Sequence, residues 1–235
     1  MGARMIRGVF FDAGNTVVFP DYQIYIDIAA SLGRDVTNDD VVEAEARARA
    51  AFDRAVASSR EEGVDGFWPV YYTPFYERLG MTDVDVQRAI DMTRQANDRG
   101  LGIWKIPVEG LLDTVKALRT RGLSVGIISN SDGRLDDRLE RIGIRDLFEF
   151  VIDSAVVGVS KPSSRIFELA LDASGVGADE AVYVGDYYEV DVVGSRAVGM
   201  LPVLFDPVGA YRDVDCEVLT EFGRVVEMVD RWNGN

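Results

Sequence analysis

Six polar or charged residues stand at or just beyond the ends of short apolar segments that read as buried strands. They are Asp12 after residues 6–11, Ser129 and Asn130 at the end of 123–129, Lys161 after 148–154, and Asp186 and Asp191 after 181–185. Ligands of open parallel sheets bind beyond the carboxyl ends of the strands, so we expect these side chains at one edge. Carboxylates hold hard cations, while lysine and serine hold phosphoryl oxygens. Although any one residue alone could cap a helix, the set predicts a Mg²⁺-assisted phosphate site.

The composition excludes several other kinds of chemistry. The chain has no histidine and a single cysteine, Cys216, which removes Ser-His-Asp and Cys-His mechanisms, disulfides and most zinc sites. Its net charge of -15 disfavours binding to nucleic acid and to anionic membranes. The N-terminal apolar run is too short for a secretory signal, and no run approaches the ~20 residues that span a bilayer. We therefore expect a cytoplasmic protein that acts on a small molecule.

The elements that must position these residues differ between two parts of the chain. Between residue 20 and about residue 104, helices are predicted over 37–59, 67–79 and 83–99, with Pro74 expected to kink or interrupt the second. No convincing strand is found there.

From residue 110 to 205 the pattern changes, because strands at 123–129, 148–154, 181–185 and 201–205 alternate with amphipathic helices. The strands are nearly continuous apolar runs, as expected when helices cover both faces of a sheet. The sequence therefore predicts an α/β fold, a doubly wound parallel Rossmann-like sheet with an inserted all-helical domain. The predicted bounds are 1–18 and 105–235 for the core and 19–104 for the insert.

Four short motifs in this core resemble those of the haloacid dehalogenase-like superfamily. They are DAGNT at 12–16, ISN at 128–130, SKP at 160–162 and VGDYYEVD at 184–191. Each motif is weak alone, but all four occur in the family's order and spacing, and the insert stands where the family carries a helical cap. The chain is identified as similar to phosphatase-like members with such a cap.

The resemblance implies a role for each motif residue. Asp12 would be the nucleophile that forms an aspartyl-phosphate, and Lys161 would pair with Asp12 and with phosphoryl oxygens. The phosphate-binding residues would be Thr16, Ser129, Asn130 and Lys161. Mg²⁺ would be held by Asp12, the carbonyl of Gly14, Asp186 and Asp191, the last directly or through another ligand, and would screen the repulsion between nucleophile and substrate.

Gly14 departs from the family's phosphatase pattern, D-x-D-G-T, in which the second Asp protonates the leaving group and later activates water. The glycine carbonyl can still bind a cation, but neither proton transfer is possible there. Since general acid–base catalysis contributes about 10²–10⁴-fold, we expect an intact site with slow or unusual turnover. A carboxylate from the cap, or a substrate with a good leaving group such as an acyl phosphate, could compensate.

Three functions follow from this departure. The favoured one is a Mg²⁺-dependent phosphohydrolase of a small phosphorylated metabolite. The second is a weakly active or non-catalytic phosphate-binding protein, which Gly14 alone suggests. The third and least favoured is a haloacid dehalogenase, whose first motif also lacks the second Asp but which needs no metal and does not keep the acidic pair Asp186 and Asp191.

Two side-chain patterns in the insert remain. Aromatic residues recur at a spacing of four and are expected to pack inside the insert; they are Phe67, Trp68, Tyr71, Tyr72, Phe75 and Tyr76. The arginines at 47, 49, 54 and 60 are expected on a solvated face. The oligomeric state cannot be read from the sequence.

Overall fold

The computed structural model describes residues 5–58 and 67–234. The chain folds into two compact units. The first, named here the sheet unit, holds the described residues up to Phe19, Pro107–Pro207 and the chain from Asp215 onward. The second, the helical unit, holds Pro20–Ile106 and Val208–Val214. That the helical unit acts as a cap stays a prediction.

The strands in chain order are β1 Gly8–Phe11, β2 Val18–Pro20, β3 Trp104–Pro107, β4 Ser124–Ser129, β5 Phe150–Asp153, β6 Ala181–Gly185, β7 Leu201–Phe205 and β8 Glu217–Leu219. Six of them form a sheet in the order β5-β4-β1-β6-β7-β8, and its pairs are all parallel. β2 and β3 form a separate two-stranded sheet. The predicted α/β class with a parallel sheet is confirmed. β8, with only three residues and an exposed valine at its centre, was not predicted, because its sequence lacks a continuous apolar run.

The described residues form ten α-helices: α1 Tyr22–Ser31, α2 Asn38–Ser58, α3 Phe67–Arg78, α4 Asp83–Asn97, α5 Leu111–Thr120, α6 Leu135–Arg141, α7 Ser154–Val157, α8 Ser164–Ser174, α9 Gly194–Ala197 and α10 Arg224–Asn233. A π-helical segment, Tyr188–Val193, directly precedes α9. No helix within the described ranges is both long enough and apolar enough to cross a membrane.

The core of the sheet unit lies between the central strands and α8. Phe10 of β1, Ile128 of β4 and Tyr183 of β6 contribute to one buried cluster with Phe167 of α8, whose ring meets that of Tyr183 edge-on at 5.1 Å. α8 buries one apolar stripe and ends at Gly175, whose φ of 66° is the left-handed conformation that glycine adopts without strain. Burial on this face anchors the two strands that end beside Ser129 and Asp186.

The helical unit is built around an aromatic cluster on α3. Tyr71, Tyr72, Phe75 and Tyr76 are buried, and the rings of Phe75 and Tyr25 of α1 lie 4.9 Å apart. The internal packing predicted for these residues is what the structure shows, while the side chain of Phe67 lies outside the described set. α3 continues through Pro74 rather than stopping there.

The expectation that the arginines of α2 lie on a solvated face is wrong for Arg49. Its side chain is fully buried and donates to Glu45 one turn earlier at 2.7 Å, and the Tyr22 hydroxyl donates to the same carboxylate. The helical period places positions 45 and 49 on the same buried face of α2 as Ala48 and Phe52. The ion pair between Glu45 and Arg49 offsets the two buried charges. Arg47 and Arg54 are exposed as predicted, and residue 60 lies outside the described residues.

Asp153, the last residue of β5, joins the two loops that lie beside the predicted site. Its buried carboxylate accepts hydrogen bonds from the backbone N–H of Gly133 at 3.0 Å, of Leu135 at 3.3 Å and of Ala155 at 3.0 Å. These N–H groups belong to the start of α6 and the start of α7, where no intrahelical acceptor is available. Asp153 therefore holds the chain after β4 against the chain after β5.

We expect Asp153→Ala to lower the free energy of unfolding by about 1–3 kcal/mol, because it leaves buried N–H groups without an acceptor. Urea denaturation followed by circular dichroism measures this. Asp153→Asn, which keeps one acceptor oxygen, should lose less. Asp137→Ala on the exposed face of α6 should stay within about 0.5 kcal/mol of the parent. Equal losses for Asp153→Ala and Asp137→Ala would contradict the bridging role.

Candidate functional site

Asp12 opens a tight loop at the carboxyl end of the central strand β1. Its backbone N–H donates to the carbonyl of Val184 on β6 at 2.8 Å. This bond extends the pairing of β1 with β6 by one residue and fixes the position of the Asp12 backbone. The loop closes through the N–H groups of Val17 and Val18, which both donate to the carbonyl of Ala13. The side chain of Asp12 is almost fully buried. A carboxylate in such a position needs a cationic partner.

That partner is Lys161, whose ammonium donates to three acceptors. Nζ lies 2.6 Å from Oδ1 of Asp12, 2.7 Å from Oδ1 of Asp191 and 2.9 Å from the hydroxyl oxygen of Tyr183. A lysine ammonium carries three N–H donors, so all three are used. Lys161 and both carboxylates are buried, so these hydrogen bonds hold the three side chains in fixed relative positions.

Burial and charge act against each other in this cluster. Burial raises the pKa of Asp12 above its ordinary value, with the positive charge of Lys161 opposing that rise. Burial alone would lower the pKa of Lys161, but the neighbouring charges of Asp12 and Asp191 outweigh it and raise that pKa. Lys161 therefore stays an ammonium ion at neutral pH, and its charge offsets those of the two carboxylates.

Tyr183 of β6 links the ammonium to β4, which lies on the far side of β1 in the sheet. Its hydroxyl accepts from Lys161 and donates to the backbone carbonyl of Ile128 at 2.9 Å, one residue before Ser129. Burial raises the pKa of the Tyr183 hydroxyl, so it remains a neutral donor. The sequence offered only a weak signal for this role, because a tyrosine in the middle of a buried strand reads as an ordinary core residue.

Asn130 holds the backbone of Lys161 from the other side. Its amide nitrogen donates to the Lys161 carbonyl at 2.9 Å, and its amide oxygen accepts from the Lys161 N–H at 2.7 Å. These two bonds tie the loop of Lys161 to the carboxyl end of β4, where Ser129 is buried. The sequence analysis assigned the side chain of Asn130 to phosphate binding, but in the structure this side chain orients the loop of Lys161.

Asp191 lies on the π-helical segment and turns back toward β6. Its Oδ2 accepts from the backbone N–H of Tyr187 at 2.9 Å, while its Oδ1 meets Lys161. A Cβ on Gly185 would come within 2.6 Å of the Cβ of Asp191, so glycine is required for this close approach. Asp191 thus acts first as a partner of Lys161.

Asp186, directly after β6, and Asn15, in the loop that begins with Asp12, are joined by a hydrogen bond. Asp186 is buried directly after β6, and Nδ2 of Asn15 donates to its Oδ2 at 3.3 Å. Asn15 itself is buried in the left-handed region with φ of 55°, a conformation that asparagine adopts more readily than most residues. Its amide oxygen and the hydroxyl of Thr16 are buried atoms with no hydrogen-bond partner in the structure.

These features fit a divalent cation, although not through a cluster of acids. In the part of the chain that the structure describes, no three His, Cys, Asp or Glu side chains come together as a metal site. A cation here would be held by the carboxylates of Asp12 and Asp186 with neutral oxygens beside them. Two buried oxygen atoms without partners, on Asn15 and Thr16, are consistent with such a group at this edge.

The structure brings the predicted site residues together at the edge formed by the ends of β1, β4 and β6. Sequence reasoning missed Tyr183 and Asp153, and it also passed over Asp206, a buried carboxylate directly after β7. Asp153 and Asp206 had the same signal as Asp186, since each stands at the end of an apolar strand.

Comparison with known proteins identifies the family. The model of the haloacid dehalogenase-like hydrolases matches residues 6–199, which include all four motifs. The chain belongs to this family. The resemblance of its motifs to the haloacid dehalogenase-like (HAD) superfamily is confirmed.

The similar proteins are matched over parts of their length. Haloacid dehalogenase-like hydrolase domain-containing protein 3 of Mus musculus is 45% identical over 97 residues, which is 41% of this chain and 38% of that protein. Glyceraldehyde 3-phosphate phosphatase of Pyrococcus furiosus is 35% identical over 136 residues, 54% of this chain and 56% of the enzyme. The chain spans less than half the length of the first of these relatives.

A solved structure shows the shared fold over nearly the whole chain. The HAD hydrolase YfnB of Bacillus subtilis, bound to magnesium, superposes with a TM-score of 0.67 at 15% identity, covering 96% of this chain and 99% of that one. Identity at this level establishes the fold alone.

We expect Tyr183→Phe to lower the free energy of unfolding by roughly 1.5–3 kcal/mol, because a buried ammonium N–H and the carbonyl of Ile128 both lose a partner. Tyr188→Phe is the matched control, since that hydroxyl donates to the exposed Asp215 and its loss should cost about 0.5 kcal/mol or less. Urea denaturation of the two variants measures the difference. The role assigned to Tyr183 fails if the two variants are equally stable.

Proposed function

We propose that this hydrolase is a Mg²⁺-dependent phosphatase that cleaves small phosphorylated metabolites through an aspartyl-phosphate on Asp12. The observation that carries the proposal is the position of Lys161, whose ammonium bonds to Asp12 and Asp191 beside the carboxyl end of β4. The fixed positive charge of Lys161 would attract the phosphoryl group of a substrate to a position beside the carboxylate of Asp12, the proposed nucleophile.

In the proposed reaction, a carboxylate oxygen of Asp12 attacks phosphorus, the P–O bond to the leaving group breaks, and an acyl phosphate forms. Ser129 binds the phosphoryl oxygens, Lys161 attracts the phosphoryl group through its positive charge, and Thr16 orders the loop of the nucleophile. Water then attacks phosphorus, which releases inorganic phosphate and returns Asp12 to its carboxylate form. Asp12, the Gly14 carbonyl and Asp186 would hold Mg²⁺, which when bound reduces the repulsion between nucleophile and substrate.

Two relatives support this proposal. The similar enzyme of Pyrococcus furiosus is a glyceraldehyde 3-phosphate phosphatase, and the HAD hydrolase of Bacillus subtilis with the same fold binds magnesium. A small phosphorylated substrate and Mg²⁺ are therefore the first choices for this chain as well. The helical unit would serve as the cap that selects the substrate.

We expect Asp12→Asn to abolish turnover of a panel of phosphomonoesters and acyl phosphates in the presence of Mg²⁺, because an amide cannot act as the nucleophile. Phosphate release measured by a colorimetric assay tests this. A matched control is Asp132→Asn, an exposed carboxylate that pairs with Arg134 and should leave the rate unchanged. Activity that survives in Asp12→Asn would contradict the mechanism.

Gly14 supports a second candidate, a phosphate-binding protein with little or no turnover. No side chain at position 14 can protonate the leaving group, and the neighbouring amide of Asn15 is not an acid. No turnover of any substrate in the panel, together with retained phosphate binding, would favour this candidate over the enzyme.

We expect Gly14→Asp to raise the hydrolysis of ordinary phosphomonoesters, by at most the roughly 10²–10⁴-fold that a general acid supplies. Acyl phosphates, which leave without protonation, should gain much less. If the variant folds and binds Mg²⁺ but is no faster with phosphomonoesters, the missing acid is not what limits the parent.

A further inference from the structure

The amide oxygen of Asn15 is a buried acceptor for which the described structure supplies no donor. The residue is only 2% exposed, and its Oδ1 has no hydrogen-bond partner, while its Nδ2 donates to Asp186. An acceptor left unpaired in the interior lowers the stability of the fold. A residue that carries such a cost at a functional edge is expected to be matched by a group that binds there.

The groups around Asn15 indicate which kind of ligand would bind to its amide oxygen. The buried ammonium of Lys161 already serves three acceptors and has no further N–H to give. The end of the Asn15 side chain instead lies against Asp186, with Nδ2 3.3 Å from Oδ2. The amide of Asn15 therefore lies next to a buried carboxylate, and hard divalent cations bind carboxylate and neutral amide oxygens.

The backbone supports this assignment. The N–H of Asn15 donates to the carbonyl of Val18 at 2.9 Å, which holds the residue at the tip of the loop with φ of 55°. Asparagine, aspartate and glycine are the residues that tolerate this conformation best, and only the first two carry an oxygen to the site. No three acidic side chains come together as a metal site in the described residues, so a cation at this edge would also take neutral oxygens, from the chain or from water.

We propose that Oδ1 of Asn15 is a direct ligand of the divalent cation, and that its N–H₂ group orients Asp186 for the same ion. This rests on the proposed function, since it assumes that the site binds Mg²⁺. Asn15 would then be the fourth residue with an oxygen ligand for the cation. The other three are Asp12 and Asp186, through their carboxylates, and Gly14, through its carbonyl.

Substitutions at this position can be made without backbone strain. Asn15→Gly removes the side chain and keeps the left-handed conformation, and Asn15→Asp keeps an oxygen but loses the N–H donor. Ser131→Ala is the control, because it removes a hydroxyl beyond the same edge that faces Asp132 instead of Asp186.

The experiment measures Mn²⁺ affinity by electron paramagnetic resonance, with Mg²⁺ as a competitor, for the full chain and the three variants. We expect Asn15→Gly to weaken binding roughly tenfold. Asn15→Asp should bind as tightly as the parent or more tightly, and Ser131→Ala should equal it. A crystal structure with Mn²⁺ should place Oδ1 about 2.0–2.3 Å from the ion.

Each other result overturns a specific statement. If Asn15→Gly binds Mn²⁺ as well as the parent, Asn15 is not a ligand, while the proposed phosphatase stands. If both Asn15 variants bind more weakly, the N–H₂ group alone matters and the ligand assignment fails. If the parent itself binds neither Mn²⁺ nor Mg²⁺, the metal dependence of the proposed function fails, and the Asn15 assignment fails with it.

Discussion

The buried ammonium of Lys161 makes the rest of the site possible. Two buried carboxylates, Asp12 and Asp191, lie within 2.7 Å of the same nitrogen atom. The positive charge between them offsets the cost of burying two carboxylates close together, because desolvation and mutual repulsion would otherwise both act against their charged forms. Their placement is therefore possible only where the fold holds the lysine in the same position.

Much of the sheet unit serves that purpose. Tyr183 takes the third N–H of the ammonium, and the side chain of Asn130 takes both backbone groups of Lys161. Asp153 joins the loops after β4 and β5 by accepting three backbone N–H groups. The three side chains come from β6, from the end of β5 and from the chain after β4, so the parallel order of the strands is what brings them together.

The catalytic consequence depends on what stands on the other side of Asp12. There the chain has Gly14, which offers only its backbone, and Asn15, whose side chain reaches Asp186. In this loop the family's usual acid is absent and an amide stands one residue later. For the proposed reaction, this loop therefore offers oxygen atoms that could bind a cation, but it offers no acid for proton transfer.

The fold class and the family could be predicted from the amino-acid sequence, and so could the positions of Asp12, Ser129 and Asp186 at the ends of strands. This was possible because continuous apolar strands, amphipathic helices and the spacing of the motifs are local patterns. The prediction failed for Arg49, since helical periodicity alone does not say which partner a buried charge finds. Tyr183 was also passed over, because a core tyrosine and one that holds a lysine look alike in one dimension.

Which groups meet could be known only from the folded chain. Lys161 is 149 residues from Asp12 and 30 from Asp191, and the choice of its partners follows from the order of the strands and from loop geometry. The same applies to Asn130, whose amide binds the backbone of Lys161, and to Asn15, whose amide meets a residue 171 positions away. Hydrogen bonds are short and directional, so they are set by ångström-scale positions that no pattern along the chain specifies.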